Sequence, residues 1–118
     1  VTIGFFSSAV LNLNNMRDIE NDSACGKRTL VVKLGLEKAK VYHQILILSG
    51  MILSVLYFVL SGGMMLNAIF LLSYIPFIIH LLKVRKTTVS KEFDPELKKV
   101  ALSTFAFSLL FWLSIYIN

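Results

Sequence analysis

Charge is missing from most of this chain. No Asp, Glu, Lys or Arg stands before Arg17, between Val41 and Leu82, or after Lys99. Stretches that long without charge exclude the solvated surface of an ordinary soluble domain. Cysteine is nearly absent too. Cys25 stands alone, so no internal disulfide can form. With no histidine near it in sequence, Cys25 is a poor metal ligand, and it is expected to be a small buried filler on a reducing side of the membrane. The start, Val-Thr-Ile-Gly-Phe-Phe, has no initiator Met and no basic segment, which excludes a signal peptide and reads as a fragment entered inside a helix. There is no internal repeat and no low-complexity segment.

What is there is mostly hydrocarbon. Hydrophobic residues make up 56% of the 118, and mean hydropathy is +0.73. The uncharged stretch is broken once, by Ser61-Gly62-Gly63, a turn signal. The halves on either side each have about the 20 residues that cross a hydrocarbon core of ~30 Å. The expected fold is therefore all-α: an integral membrane helical bundle with about four transmembrane helices, the first truncated. The expected spans are 1–16, 41–60, 64–82 and 98–117, with polar loops at 17–40 and 83–97.

All 12 Lys and Arg fall in two windows, Arg17 to Lys40 and Lys83 to Lys99, and the seven acids fall with them. Two crossings separate the windows, so both face one side. Basic loops stay in the cytoplasm, which puts Gly62 and Gly63 outside. The net charge of +5 thus orients the chain in a lipid bilayer and needs no nucleic-acid partner. His43 and His80, at the cytoplasmic ends of their spans, read as interfacial aromatics, as do Tyr42 and Tyr57. Pro76 is expected to kink the third span mildly by removing one helical hydrogen bond. Asp94-Pro95-Glu96 is a strong helix start, with Asp94 as the cap.

One stretch breaks the apolar pattern with chemistry: Asn14 to Leu34, N-N-M-R-D-I-E-N-D-S-A-C-G-K-R-T-L-V-V-K-L. Asp18 and Asp22 are four apart, which on a helix puts both carboxylates on one face, one turn apart. Asn15 extends that stripe, Asn14 flanks it, and Glu20 falls off it. Gly26 suits a left-handed helix end. Lys27 and Arg28 follow, placed to meet an anion. Two aligned carboxylates suit a hard ion such as Mg²⁺, whose remaining ligands are commonly substrate phosphates and water. A solvated loop between membrane helices would also carry such residues.

The whole string N-x-N-N-x-R-D-I-E-x-D-x-x-x-G-K-R-T-L-x-V-x-L-G resembles the second aspartate-rich motif of the UbiA prenyltransferase superfamily. The run R-D-I-E-N-D…G-K-R-T-L looks most like the branch that acts on 1,4-dihydroxy-2-naphthoate in menaquinone biosynthesis. The resemblance implies a bundle with two aspartate-rich motifs facing one cavity. The first, N-D-x-x-D-x-x-x-D, is not in this chain, which therefore looks like the C-terminal part of such a domain and is expected to be inactive alone. By the resemblance, Asp18 and Asp22 are Mg²⁺ ligands and catalytic, Arg17, Lys27 and Arg28 bind diphosphate, and Asn14 and Asn15 support the site. The implied substrates are a polyprenyl diphosphate and an aromatic acceptor, 1,4-dihydroxy-2-naphthoate, giving demethylmenaquinone at the inner (cytoplasmic) membrane. A sibling enzyme with another aromatic acceptor, or a non-enzymatic transport or scaffold segment, stays open at this point.

Overall fold

Every regular element of the chain is helical in the computed structural model, which describes residues 1–64 and 67–117. Among the described residues six α-helices follow in order: α1 (Thr2–Arg17), α2 (Ile19–Ala24), α3 (Leu30–Leu34), α4 (Leu36–Leu60), α5 (Tyr74–Lys86) and α6 (Asp94–Tyr116). Short 3-10 turns, Ile69–Ser73 and Ser90–Phe93, lead into α5 and α6. There is no strand among the described residues. Among the described residues two helical segments are long and apolar enough to cross a membrane: α4, and α6 together with the turn before it.

Sequence explains why α1, α4 and α6 pack together. Gly50 leaves a gap on α4 that Phe6 of α1 fills; a Cβ at Gly50 would lie 2.6 Å from the Phe6 ring. Phe6 then stacks on Phe77 of α5 at 4.5 Å and meets Phe107 of α6 edge-on at 5.0 Å. These rings are buried and form the centre of the core. Facing rings in such offset or edge-on pairs add about 0.5–1.5 kcal/mol each beyond the area they bury. One polar tie joins the same seam: the buried Asn12 side chain donates to the Ala39 carbonyl at 3.1 Å. Outward, Ile45, Leu48, Ile52, Val55 and Val59 on α4 and Leu102, Phe105 and Leu109 on α6 stay exposed. Apolar rows of this length are what a helix facing hydrocarbon leaves uncovered.

The structure departs from the sequence reading in four places. Residues 67–82 do not form one continuous helix with a kink. A 3-10 turn precedes α5, and Pro76 lies in the first turn of α5, where its missing N–H is one of the donors a helix start leaves unpaired. Asp94 does not cap α6. Its backbone is already helical, because the Ser90–Phe93 turn runs straight into α6, and its carboxylate is used elsewhere. Cys25 is exposed rather than a buried filler. His43 and His80 are buried inside the bundle, not spread at an interface. The turn at Gly62 forms as expected: Gly62 takes φ +82°, and the amides of Gly62 and Gly63 close on the carbonyls of Val59 and Phe58.

Candidate functional site: a charged cavity at the ends of two helices

The sequence motif occupies the junction of α1 and α2. α1 ends at Arg17, and Asp18 sits between the helices with φ −96° and ψ 9°. The one-turn relation survives this break, since the Asp22 amide donates to the Asp18 carbonyl at 2.8 Å. α2 stops at Gly26, whose φ of +71° is open to glycine at little cost. The amide of Lys27 closes on the Asp22 carbonyl at 2.8 Å and that of Gly26 on Ser23 at 3.1 Å, the paired bonds of a left-handed helix stop. That stop turns Lys27 back along α2, where its ammonium lies 3.6 Å from Asp22 Oδ1.

Arg17 organises the other carboxylate. Its Nε and Nη2 hold both oxygens of Asp18, at 2.8 and 3.0 Å. Nη2 also donates to Asn14 Oδ1 at 2.9 Å, and Nη1 reaches Asp94 Oδ1, at the start of α6, at 2.9 Å. The guanidinium hydrogen bonds hold the Asp18 carboxyl below the usual carboxylate range, and the two carboxylates raise Arg17 above its ordinary value. Both groups are therefore charged at neutral pH. A cavity of about 410 Å³ opens beside this cluster. It is lined by Arg17, Asp18, Glu20 and Asn21 from the motif and by Ser90, Lys91 and Asp94 from the second charged window. Ser90 is buried and donates to Glu20 Oε1 at 3.2 Å, joining the two walls.

The residues named from sequence thus divide. Arg17 and Asp18 come together at the cavity, with Asn14 bound to Arg17 behind them. Asp22 and Lys27 pair with each other one turn away and are not among its lining residues, and Arg28 is exposed. Asn15 is half-buried. Glu20, off the carboxylate stripe, shares the cavity with Asp18.

Mg²⁺ can be tested against these side chains. Asp22 is buried, and its Oδ2 has no hydrogen-bond partner within the protein. A buried carboxylate oxygen without a donor is costly unless a cation meets it. That oxygen, one turn from Asp18, fits a hard divalent ion. No cluster of three or more His, Cys, Asp or Glu side chains that could hold a metal occurs among the described residues, so the fit is that of a half-site, with phosphate or further protein ligands completing the shell.

A second charged cluster escaped the sequence reading. Glu96, in the first turn of α6, is fully buried. Its Oε1 meets the ammonium groups of Lys83 and Lys99, each at 3.0 Å, and its Oε2 meets His80 Nδ1 at 2.7 Å. His80 Nε2 in turn lies 2.8 Å from His43 Nε2. The ionised carboxylate can only accept, so His80 Nδ1 donates; a neutral His80 ring then accepts at Nε2 from His43. One signal pointed here: the three residues lie at the same end of their helices, and a buried carboxylate in lipid needs partners.

An all-α bundle with long apolar helices, carrying carboxylates and cations around one cavity, defines the class: a helical membrane protein with a charged cavity. The particular family follows from comparison: residues 1–115 match the UbiA prenyltransferase family, and the chain belongs to it. It is 34% identical over 115 residues to a 1,4-dihydroxy-2-naphthoate octaprenyltransferase of Haemophilus influenzae (strain ATCC 51907 / DSM 11121 / KW20 / Rd), covering 98% of this chain and 37% of that protein. It is 33% identical over 120 residues to the 1,4-dihydroxy-2-naphthoate octaprenyltransferase of Escherichia coli (strain K12), with the same coverage. The chain therefore spans little more than a third of the length of these relatives. No solved structure matches it.

Proposed function

We propose that the full-length protein transfers a polyprenyl group from a prenyl diphosphate to 1,4-dihydroxy-2-naphthoate, giving demethylmenaquinol, the reduced form of demethylmenaquinone, and that this chain supplies the second half of its diphosphate site. The observation that carries the reading is the motif geometry: Asp18 and Asp22 one turn apart, a bare buried oxygen on Asp22, and Arg17 bound to Asp18 at the rim of a cavity. The names of the two relatives support the choice of acceptor.

In this reading Asp18 and Asp22 hold Mg²⁺, which when bound neutralises the diphosphate and eases its departure. Arg17 changes partner: it leaves Asp18 for a phosphate oxygen while Asp94 keeps hold of its far nitrogen. Lys27 and Arg28 meet the leaving charge from the other side, as fixed cations do where charge builds up. Asn14 and Asn15 support the polar wall. The C–O bond to the diphosphate breaks, the allylic cation forms, and the acceptor ring carbon supplies the electron pair for the new C–C bond. The acceptor carboxylate leaves as carbon dioxide, its C–C bond electrons restoring the ring. Apolar helices keep water from the cation and hold the isoprenoid tail. The protein would lie in the inner membrane, with about four spans in this part and both charged windows in the cytoplasm.

The test uses the full-length protein in membranes with Mg²⁺, a polyprenyl diphosphate and 1,4-dihydroxy-2-naphthoate, with 4-hydroxybenzoate as a competing acceptor. Prenylated naphthoquinol is expected, lost with a chelator and reduced at least roughly 100-fold in Asp18→Asn and in Asp22→Asn. Wild-type activity in both variants would remove the site assignment. Prenylation of 4-hydroxybenzoate instead would remove the acceptor.

A further inference from the structure

The Glu96 cluster is not among the residues that line the charged cavity, yet it is tied as closely as the Arg17 cluster, with four bonds of 3.0 Å or less in each. Three groups from α5 and α6, His80, Lys83 and Lys99, converge on one fully buried carboxylate, and His43 of α4 joins through His80. Net stability does not explain it. A buried ion pair is often matched or exceeded by apolar packing of the same shape. What such a network supplies, and apolar packing does not, is direction: each short bond accepts one rotation of each helix.

Position indicates what is being directed. Glu96 lies one residue beyond Pro95 and two beyond Asp94, within one turn of α6. Asp94 is the group that holds the far end of Arg17, at 2.9 Å, while Arg17 holds Asp18. The turn before it carries Ser90 and Lys91, which line the same cavity, and Phe93, fully buried beneath it. The start of α6 is therefore one wall of the cavity, and Glu96 fixes that wall from behind to His80 of α5 and, through it, to His43 of α4. We propose that Glu96, with His80 and His43, is a positioning device. It fixes the rotation of α6 so that Asp94 holds Arg17 in place as Arg17 passes from Asp18 to a bound diphosphate. This rests on the functional reading above, since it assigns the cavity to the diphosphate.

The experiment compares full-length wild type with Glu96→Gln, Asp94→Asn and the double variant. Gln keeps the shape of Glu but loses the charge that gathers two ammonium groups and a histidine. Two readouts are taken: binding of inorganic pyrophosphate with Mg²⁺ by calorimetry, and the KM and kcat of prenyl transfer. Residues that orient ligating groups from behind commonly change affinity or activity 10–100-fold when altered. The expected result is a pyrophosphate affinity and a prenyl diphosphate KM about tenfold weaker in Glu96→Gln, with the acceptor KM within about twofold of wild type. Asp94→Asn is expected to give a similar change. The double variant should be little worse than either single one, because both act through the same wall. Should Glu96→Gln not accumulate, His43→Leu, which removes the partner of His80 Nε2 and leaves the Glu96 ion pairs in place, carries the same test.

A variant at Glu96 or His43 that melts earlier but binds pyrophosphate as wild type does would overturn the inference and leave the network as scaffolding. So would fully additive effects of Glu96→Gln and Asp94→Asn. A wild-type protein that neither binds pyrophosphate nor transfers a prenyl group would overturn the functional reading, and this inference with it.

Discussion

Two charged clusters sit within one helical turn of each other at the start of α6, and they are built in opposite ways. The Arg17 cluster is open. Its side chains are about a third exposed or more, it borders a cavity, and most of its members are neighbours in sequence. The Glu96 cluster is closed. Its carboxylate and its nearer histidine have almost no exposed surface, and its members come from three helices. Exposed pairs contribute about 0–1 kcal/mol and exchange partners readily. Buried charges are costly to strand and so hold their geometry. The pairing of a loose cluster with a rigid one suits a site whose cations must move onto a substrate while the wall behind them stays still.

The largest expected effect falls on the closed cluster. His80→Leu strands one oxygen of a buried Glu96 and is expected to lower the stability of the full-length protein by about 3 kcal/mol. Glu96→Leu removes the buried charge itself and leaves Lys83 and Lys99, both about half-exposed, able to reach water, so its cost should be smaller. Denaturant titration in detergent checks the order. Equal loss in the two variants would mean that Glu96 is not a buried charge.

A middle-sized effect tests the helix stop beside the open cluster. Gly26→Ala forces a side chain into a left-handed backbone at φ +71° and should cost about 1 kcal/mol, loosening the helix stop that returns Lys27 to Asp22. Melting temperature reads the cost. No change would show that the stop is not needed. The smallest effect is on Arg17. Arg17→Gln removes partly exposed pairs and should change stability by under about 1 kcal/mol while prenyl transfer falls sharply. A variant that unfolds instead would make Arg17 a structural residue and erase the contrast between the clusters.

The same contrast explains what sequence made legible. The open cluster was readable because Asn14, Arg17, Asp18 and Asp22 are local, and helical spacing alone brings them near one another. The two long apolar helices, α4 and α6, were readable from missing charge, and the stop at Gly26 and the turn at Gly62 from glycine. Asp94 was misread as a cap, because nothing local says that a 3-10 turn precedes it or that Arg17, far away in the chain, claims its carboxylate. His43, His80 and Glu96 are separated by whole helices, and only the packing of α4, α5 and α6 makes them one group. Glu20 looked misplaced on a regular helix; the break at Asp18 and the arrival of Ser90 bring it to the cavity.

The central claim is that Asp18 and Asp22 hold a divalent ion together with a diphosphate. Binding of Mn²⁺, standing in for Mg²⁺, to the full-length protein with and without inorganic pyrophosphate tests it most directly, read by the loss of the free-ion paramagnetic signal. Pyrophosphate should strengthen Mn²⁺ binding in wild type, and Asp22→Asn should abolish that gain while the protein stays folded. Mn²⁺ binding that ignores pyrophosphate, or that is unchanged in Asp22→Asn, would contradict the account.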